Sequence, residues 1–255
     1  MILGLSGKKQ SGKDTVAKII QYLIHCKLYN SNVSYDDWIR YDSKHSESTW
    51  KIVKFADKIK DIVCLIIGCT REQLENEEFK NTPLGIEWRN YSYSIAEGKT
   101  EFDEGEPSVI NQYRLTPRML LQQLGTDVCR AIHPNTWINA TMRDYKFKSY
   151  SIGIDKYGHQ TIVDKYPNWI ITDVRFPNEY DAIKERNGIV IRVNMNPSNK
   201  WIDKAEWDFN KHGIESHPSE TSLDNYEFDH VISNNGTIDD LIVKVKDILI
   251  KEKLI

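Results

Sequence analysis

Ile2-Leu3-Gly4-Leu5-Ser6-Gly7-Lys8-Lys9-Gln10-Ser11-Gly12-Lys13-Asp14-Thr15 is the stretch that decides how the rest of this chain is read. Its first residues form an apolar run of strand length. Beyond Thr15, the residues Val16, Ile19, Ile20, Leu23 and Ile24 fall on one helical face. Gly7 and Gly12, separated by four residues, permit a tight turn whose N–H groups aim inward. Strand, glycine-lysine turn and helix make the context of a phosphate-binding P-loop. The positive end of the helix adds to that field, and Lys13 reaches toward β- and γ-phosphates. The position after the lysine is ordinarily Ser or Thr, whose hydroxyl holds Mg²⁺. Here it is Asp14, followed by Thr15, and a carboxylate is a reasonable ligand for a hard cation. The bland alternative, a glycine-lysine surface turn, leaves the correctly placed strand and helix unexplained.

Length and charge narrow the field. At 255 residues the chain allows one elaborated α/β domain or two small ones. A net charge of −3 provides no general attraction to nucleic acid or to an anionic membrane. No signal peptide precedes the first strand, and no apolar run is long enough to span a bilayer. Cys26, Cys64, Cys69 and Cys129 form neither a C-x-x-C pair nor a metal-ligand spacing. They read as reduced thiols of a cytoplasmic protein.

Moving outward, Trp50 to Phe55 predicts a second strand and Ala56 to Ile66 a helix that Gly68 ends. Thr70 and Gln73 form a capping box for the next helical piece. Residues 28–50 give no firm assignment. Residues 80–115 show weak periodicity and an acidic run from Glu101 to Glu106, the pattern of an insertion or loop with a solvated face. Thr116-Pro117-Arg118 starts a helix with an apolar stripe of Leu121, Leu124, Val128 and Ile132. Gly125 in its middle costs about 1 kcal/mol against alanine, which close packing or a ligand would explain. Tyr145 to Tyr166 alternates around Asp155-Lys156-Tyr157-Gly158 as a β-hairpin. Asn168 to Asp173 is a buried strand ending in a carboxylate, and Ile189 to Val193 is another core strand. Residues 194–228 are polar, with Lys200, Lys204, Lys211 and His212 among aromatics, as in a closing lid. A last strand, the Asn234-Asn235-Gly236 turn and a helix capped by Thr237 complete the chain. Strands and helices thus alternate throughout. The expected fold is α/β: a parallel sheet flanked by helices in one P-loop domain, with an inserted β-hairpin and a lid segment.

Several stretches together resemble a known family. Gly7 to Thr15, Phe55-Ala56-Asp57-Lys58-Ile59-Lys60 and Arg118 to Asp127 carry the first half. Ile171-Thr172-Asp173-Val174-Arg175-Phe176-Pro177-Asn178-Glu179, His217-Pro218-Ser219-Glu220 and Ser233 to Thr237 carry the second. In this order they resemble the deoxynucleoside monophosphate kinases of tailed bacteriophages, whose pattern includes the aspartate after the P-loop lysine. The resemblance implies transfer of the γ-phosphate of ATP to a deoxynucleoside monophosphate with Mg²⁺, in the host cytoplasm. It places Lys9, Gly12, Lys13, Asp14 and Thr15 on ATP phosphates and metal, with Asp14 and Asp173 as the metal carboxylates. Lys60, Lys80, Arg118, Gly125, Trp137, Asp173, Arg175 and Glu179 match positions around the monophosphate. Lys13, Asp14, Arg118, Asp173 and Arg175 are then the catalytic set. Partners are small nucleotides, and members of the family commonly pair as homodimers. The family's arginine after the strand ending at Val193 is missing from Asn194-Met195-Asn196-Pro197. Its contact comes from Arg192 or Lys200, or is absent.

These residue types suit phosphoryl transfer, where the protein's task is positioning and charge neutralisation. A guanidinium fork binds two phosphate oxygens at once, which suits Arg118 and Arg175. Trp137 would stack against or wall the acceptor base, and the Asn234-Asn235-Gly236 turn would border the adenine. Each of these residues also has a plainer reading: the arginines as surface residues, Trp137 as core, and the turn as only a turn. Two other functions stay open on the residues alone. One is a kinase for another small phosphorylated acceptor, such as phosphomevalonate. The other is a nucleotide-sensing module without transfer. A nucleic-acid motor is disfavoured by the slightly acidic chain and the lack of a dominant basic tract.

Overall fold

The apolar run at the amino terminus forms β1 (Ile2–Ser6), the middle strand of a parallel sheet. Across the sheet the order is β2 (Trp50–Val53), β7 (Asn168–Val174), β1, β8 (Ile189–Asn194) and β9 (His230–Ser233). Every pairing is parallel. This computed structural model describes residues 1–42, 49–94, 108–147, 149–154, 160–195 and 218–255. The chain divides into two compact units, Met1–Phe55 with Ile138–Ile255, and Ala56–Trp137.

In the first unit, helices cover both faces of the sheet, as a parallel sheet requires. Leu3 and Leu5 point to one face, where α1 (Lys13–Tyr29) contributes Val16, Ile19, Ile20 and Leu23 to the core. The closing helix α9 (Ile238–Lys251) adds Leu241, Val245 and Leu249 to the same cluster. Gly4 points the other way. A Cβ there would come within 2.7 Å of Ile183 Cδ1 on α7 (Pro177–Lys184), so α7 packs directly against β1. The chain visits β2 on one side of β1 and β8 on the other. The order therefore reverses beside β1, and ligands of such sheets bind at the carboxyl ends there.

The alternating sequence at 145–166 folds as expected into an antiparallel pair, β5 (Ser149–Ile154) and β6 (Gln160–Lys165). The unassigned 28–50 stretch holds a helical turn, Tyr35–Asp37, capped by Ser34 and extended to Asp42, with Trp38 buried. Residues 196–217, including Lys200 and His217 of the expected lid, lie outside the described residues, as does the acidic run Glu101 to Glu106.

The second unit contains α2 (Asp57–Ile67), α3 (Arg71–Glu75), α4 (Glu77–Asn81) and α5 (Pro117–Gln122). Gly68 ends α2 in the left-handed conformation, and Thr70 and Gln73 form the expected capping box. The weakly periodic 80–115 stretch carries an antiparallel pair, β3 (Arg89–Ser94) and β4 (Ser108–Arg114). β3 alternates polar residues with tyrosine, and the aliphatics of β4, Val109 and Ile110, are adjacent rather than alternating, so the signal of a half-buried strand is faint. The apolar stripe expected after Arg118 is only partly buried: Leu121 and Leu124 are half-buried, whereas Val128 and Ile132 are exposed, and the buried leucine is Leu120, outside the stripe. The cause is local. From Gln123 to Val128 the helix widens to a π-helical turn, which shifts the phase of every later residue. All four cysteines carry free thiols. Among the described residues, no helix is long and apolar enough to cross a membrane.

Candidate functional site

The glycine-lysine turn joins β1 to α1 at the carboxyl end of the sheet, with its glycines in conformations that a side chain would oppose. Gly12 sits at φ +95°, and a Cβ there would strike the Asn234 amide. Asn234 donates from Nδ2 to the Ser11 carbonyl (3.0 Å), so the Asn234-Asn235-Gly236 turn braces the loop. That bracing gives the turn a structural role without any nucleotide base. Lys13 is buried, and its ammonium donates to the carbonyls of Gly7 (2.8 Å) and Lys8 (2.7 Å). Burial pushes Lys13 down to about 8; Arg175 adds to that effect, while Glu220, Asp14 and Asp173 oppose it. These charges therefore share one neighbourhood.

Asp14, on the first turn of α1, pairs with Lys54 Nζ at 2.9 Å. Partial burial opposes its ionisation, but Lys54, the Thr172 hydroxyl and Lys13 outweigh it and hold the carboxyl below its ordinary value. Thr15 is half-buried beside it. Asp173, at the end of β7, accepts from the Phe55 amide at 2.9 Å, tying the strand's end to the segment after β2. Among the described residues no three carboxylates, imidazoles or thiolates gather as a metal cage. Mg²⁺ ordinarily takes only one or two carboxylates and completes its shell with water and substrate phosphates. The ionised Asp14, with Asp173 nearby, fits that mode.

Beyond β7 the chain turns at Arg175 into α7. Glu179 is buried, and its Oε2 accepts from the backbone amides of Arg175 (2.8 Å) and Phe176 (3.1 Å). Glu179 thus caps the helix and fixes the turn that presents Arg175. The Arg175 guanidinium pairs with Glu220, on the short helix α8 (Pro218–Thr221), whose other oxygen accepts from the Lys9 amide at 2.7 Å. The Lys9 side chain itself is exposed. Arg192, one candidate for the missing lid arginine, is nearly buried and already engaged. It donates to Ser6 Oγ (3.1 Å) and Asp224 (2.7 Å) and lies over the Phe228 ring.

The remaining expected residues all lie in the second unit. Lys60 pairs with Glu75 at 2.6 Å. Glu77 bridges two of them, taking Lys80 on Oε1 (3.0 Å) and Arg118 on Oε2. Arg118 Nε also donates to Asn81 Oδ1 at 2.7 Å. Trp137 is buried, and its indole N–H donates to the Gly125 carbonyl at 2.8 Å. A Cβ on Gly125 would lie 2.9 Å from Ile59 Cδ1. That one contact is with the movable tip of the Ile59 side chain and does not by itself require a glycine.

A sequence model of the family described as deoxynucleotide monophosphate kinase matches residues 59–245. The chain belongs to that family. The deoxynucleotide monophosphate kinase of Enterobacteria phage T4 is 26% identical over 97% of this chain and 98% of its own length. The deoxynucleoside-5'-monophosphate kinase of Escherichia phage T5 is 23% identical over 92% of this chain and 89% of its own. The α/β fold with its parallel sheet is the one expected of a nucleotide kinase in this family.

Glu220, Lys54, Thr172 and Glu77 escaped the site reading of the sequence, although Glu220 and Thr172 fall within stretches that carry the resemblance. Lys54 and Glu77 have no such signal, because their roles depend on which charges the fold brings beside them.

Proposed function

We propose that this protein transfers the terminal phosphate of ATP to the phosphate of a deoxynucleoside monophosphate, giving a deoxynucleoside diphosphate and ADP. The observation that carries the reading is the convergence of Lys13, Asp14, Asp173 and Arg175 around the loop after β1. The backbone amides of that loop and the start of α1 hold the triphosphate, with Lys13 along its β- and γ-phosphates. Mg²⁺, when bound through Asp14 and Asp173, neutralises charge on those phosphates. The acceptor phosphate is an anion at neutral pH and needs no general base. It does need cations, because two polyanions repel each other and the transition state spreads charge over the equatorial oxygens. Arg175 supplies one such cation, and Arg118, Lys60 and Lys80 are those that the resemblance assigns to the acceptor. Gly125 and Trp137 shape the acceptor's surroundings through packing. Free thiols suit the reducing cytoplasm in which ATP is abundant.

The test is an acceptor screen with Mg·ATP, following ADP release with dAMP, dGMP, dCMP, dTMP and phosphomevalonate. ADP and a dNDP appear together with at least one dNMP. ADP formed only with phosphomevalonate, or with no acceptor at all, defeats the reading.

A further inference from the structure

The Glu220 carboxylate occupies an unusual position for an acidic residue. One oxygen accepts from the Lys9 amide within the glycine-lysine loop, and the other pairs with the Arg175 guanidinium. A loop amide and an arginine fork are the donor types that recognise phosphate. The side chain is only 10% exposed, so the carboxylate end of this pair is largely removed from water. Glu220 also lies close enough to Lys13 to favour its charged form.

We propose that Glu220 is a positioning residue that holds the place of a phosphate: it keeps Arg175 and the Lys9 amide paired until a nucleotide phosphate displaces it. The inference rests on the reading of the loop as the triphosphate site. Three consequences follow from the charge. An incoming polyanion must displace a carboxylate from two of its own donors, so Glu220 weakens binding. Arg175, steadied by Glu220 and by the Glu179-capped turn, stays aimed while the loop awaits substrate. A neutral side chain at 220 reverses the first effect and loses the second.

The experiment titrates inorganic tripolyphosphate into the full chain by calorimetry, comparing wild type, Glu220→Gln and Glu220→Asp. Steady-state kinetics with Mg·ATP and the best dNMP acceptor accompany it. Glu220→Gln binds tripolyphosphate about tenfold more tightly, the scale expected when one nearby like charge is removed. Glu220→Asp, too short to span both donors, falls between it and wild type. In turnover, Glu220→Gln lowers both KM for ATP and kcat, a split that a merely structural residue would not produce. Equal or weaker tripolyphosphate binding by Glu220→Gln overturns the proposal, as does a raised KM with unchanged kcat. Should Glu220→Gln fail to fold, Glu220→Asp decides: tighter binding than wild type supports the proposal, and equal or weaker binding overturns it. The two readings fail separately. A wild type that phosphorylates no dNMP, yet shows the predicted order of tripolyphosphate affinities, loses the kinase function but keeps the Glu220 role. A wild type that phosphorylates dNMPs while Glu220→Gln binds no more tightly loses only the latter.

Discussion

Each unit places a carboxylate on donors expected to hold phosphate, but the two carboxylates differ in their access to water. Glu220 in the first unit is 10% exposed and sits on Arg175 and a loop amide. Glu77 in the second is 61% exposed and sits on Arg118 and Lys80. Exposed ion pairs are worth ~0–1 kcal/mol, because water and salt already solvate both charges. Glu77 is therefore cheap to displace, whereas Glu220 is held in a setting where each charge depends on its partners. The same contrast covers Lys13, whose ammonium donates to the carbonyls of its own loop. The first unit thus has a buried cation kept by backbone, and the second has part-buried cations kept by exposed acidic side chains.

The largest break in that contrast is Lys13→Ala. It removes the desolvated cation while leaving the loop's glycines and the Asn234 brace intact. Turnover falls on the order of 10³-fold, the scale of losing one electrostatic stabiliser of a developing charge. Circular dichroism of the variant matches wild type. A loss under tenfold would mean that Lys13 is not on the phosphates. Arg118→Ala comes next, and should raise KM for the monophosphate about 10- to 100-fold, from charge-assisted hydrogen bonds of ~1.5–3 kcal/mol. KM for ATP stays near wild type. An effect confined to ATP would remove Arg118 from the acceptor set.

A pH titration sharpens the comparison further through Lys13, which is buried. Lys13 has a folded value of about 8 against an ordinary 10.5. Between those two values the unfolded chain holds more protons than the folded one, so this group makes folding stability rise with pH across that window. Binding has the opposite sign. Triphosphate oxygens pull a proton back onto Lys13, so ATP affinity is full below pH 8. It then declines by up to about tenfold per unit above it, until the bound-state value is passed. Calorimetry in buffers of different ionisation enthalpy detects the proton taken up. Flat affinity from pH 7 to 9.5 contradicts the desolvated lysine. Glu77→Gln is gentler still: KM for the monophosphate drops on the order of threefold, within the range of an exposed pair.

How much of this was legible in the sequence depended on whether the information was contiguous. Gly7 to Thr15 states its own geometry, because the glycines, the lysine and the helix start act through backbone placed by the chain itself. The sheet could be read from apolar runs such as Ile170-Ile171 and Val190-Ile191, buried on both faces. The β3–β4 pair was not legible, since β3 alternates polar residues with tyrosine and the aliphatics of β4, Val109 and Ile110, are adjacent rather than alternating. The stripe from Leu121 to Ile132 misled because a π-helical turn cannot be seen in periodicity. Within the site, Glu179 illustrates the deeper limit. Its residue type fits substrate or cap equally, and only the two amides it accepts from reveal the cap. Carboxylates such as Glu77 and Glu220 likewise gain their meaning from cations far away in sequence.

Trp137 poses the smallest test and the cleanest choice between two readings of one residue. As a base platform it would offer a ring face to the acceptor. Instead it is 5% exposed, with its indole N–H bonded to the Gly125 carbonyl. Trp137→Phe keeps an aromatic ring and deletes that hydrogen bond, which costs about 1 kcal/mol. For a chain of this size the midpoint of thermal unfolding should drop by roughly 2–4 °C. If the residue acts through packing, the order of preference among dAMP, dGMP, dCMP and dTMP stays the same, because phenylalanine still fills the space behind Gly125. If the ring stacks on the base, the shrunken surface weakens purines more than pyrimidines, and the preference order moves while the melting temperature barely does. Measured together, melting temperature and base preference therefore separate the two roles.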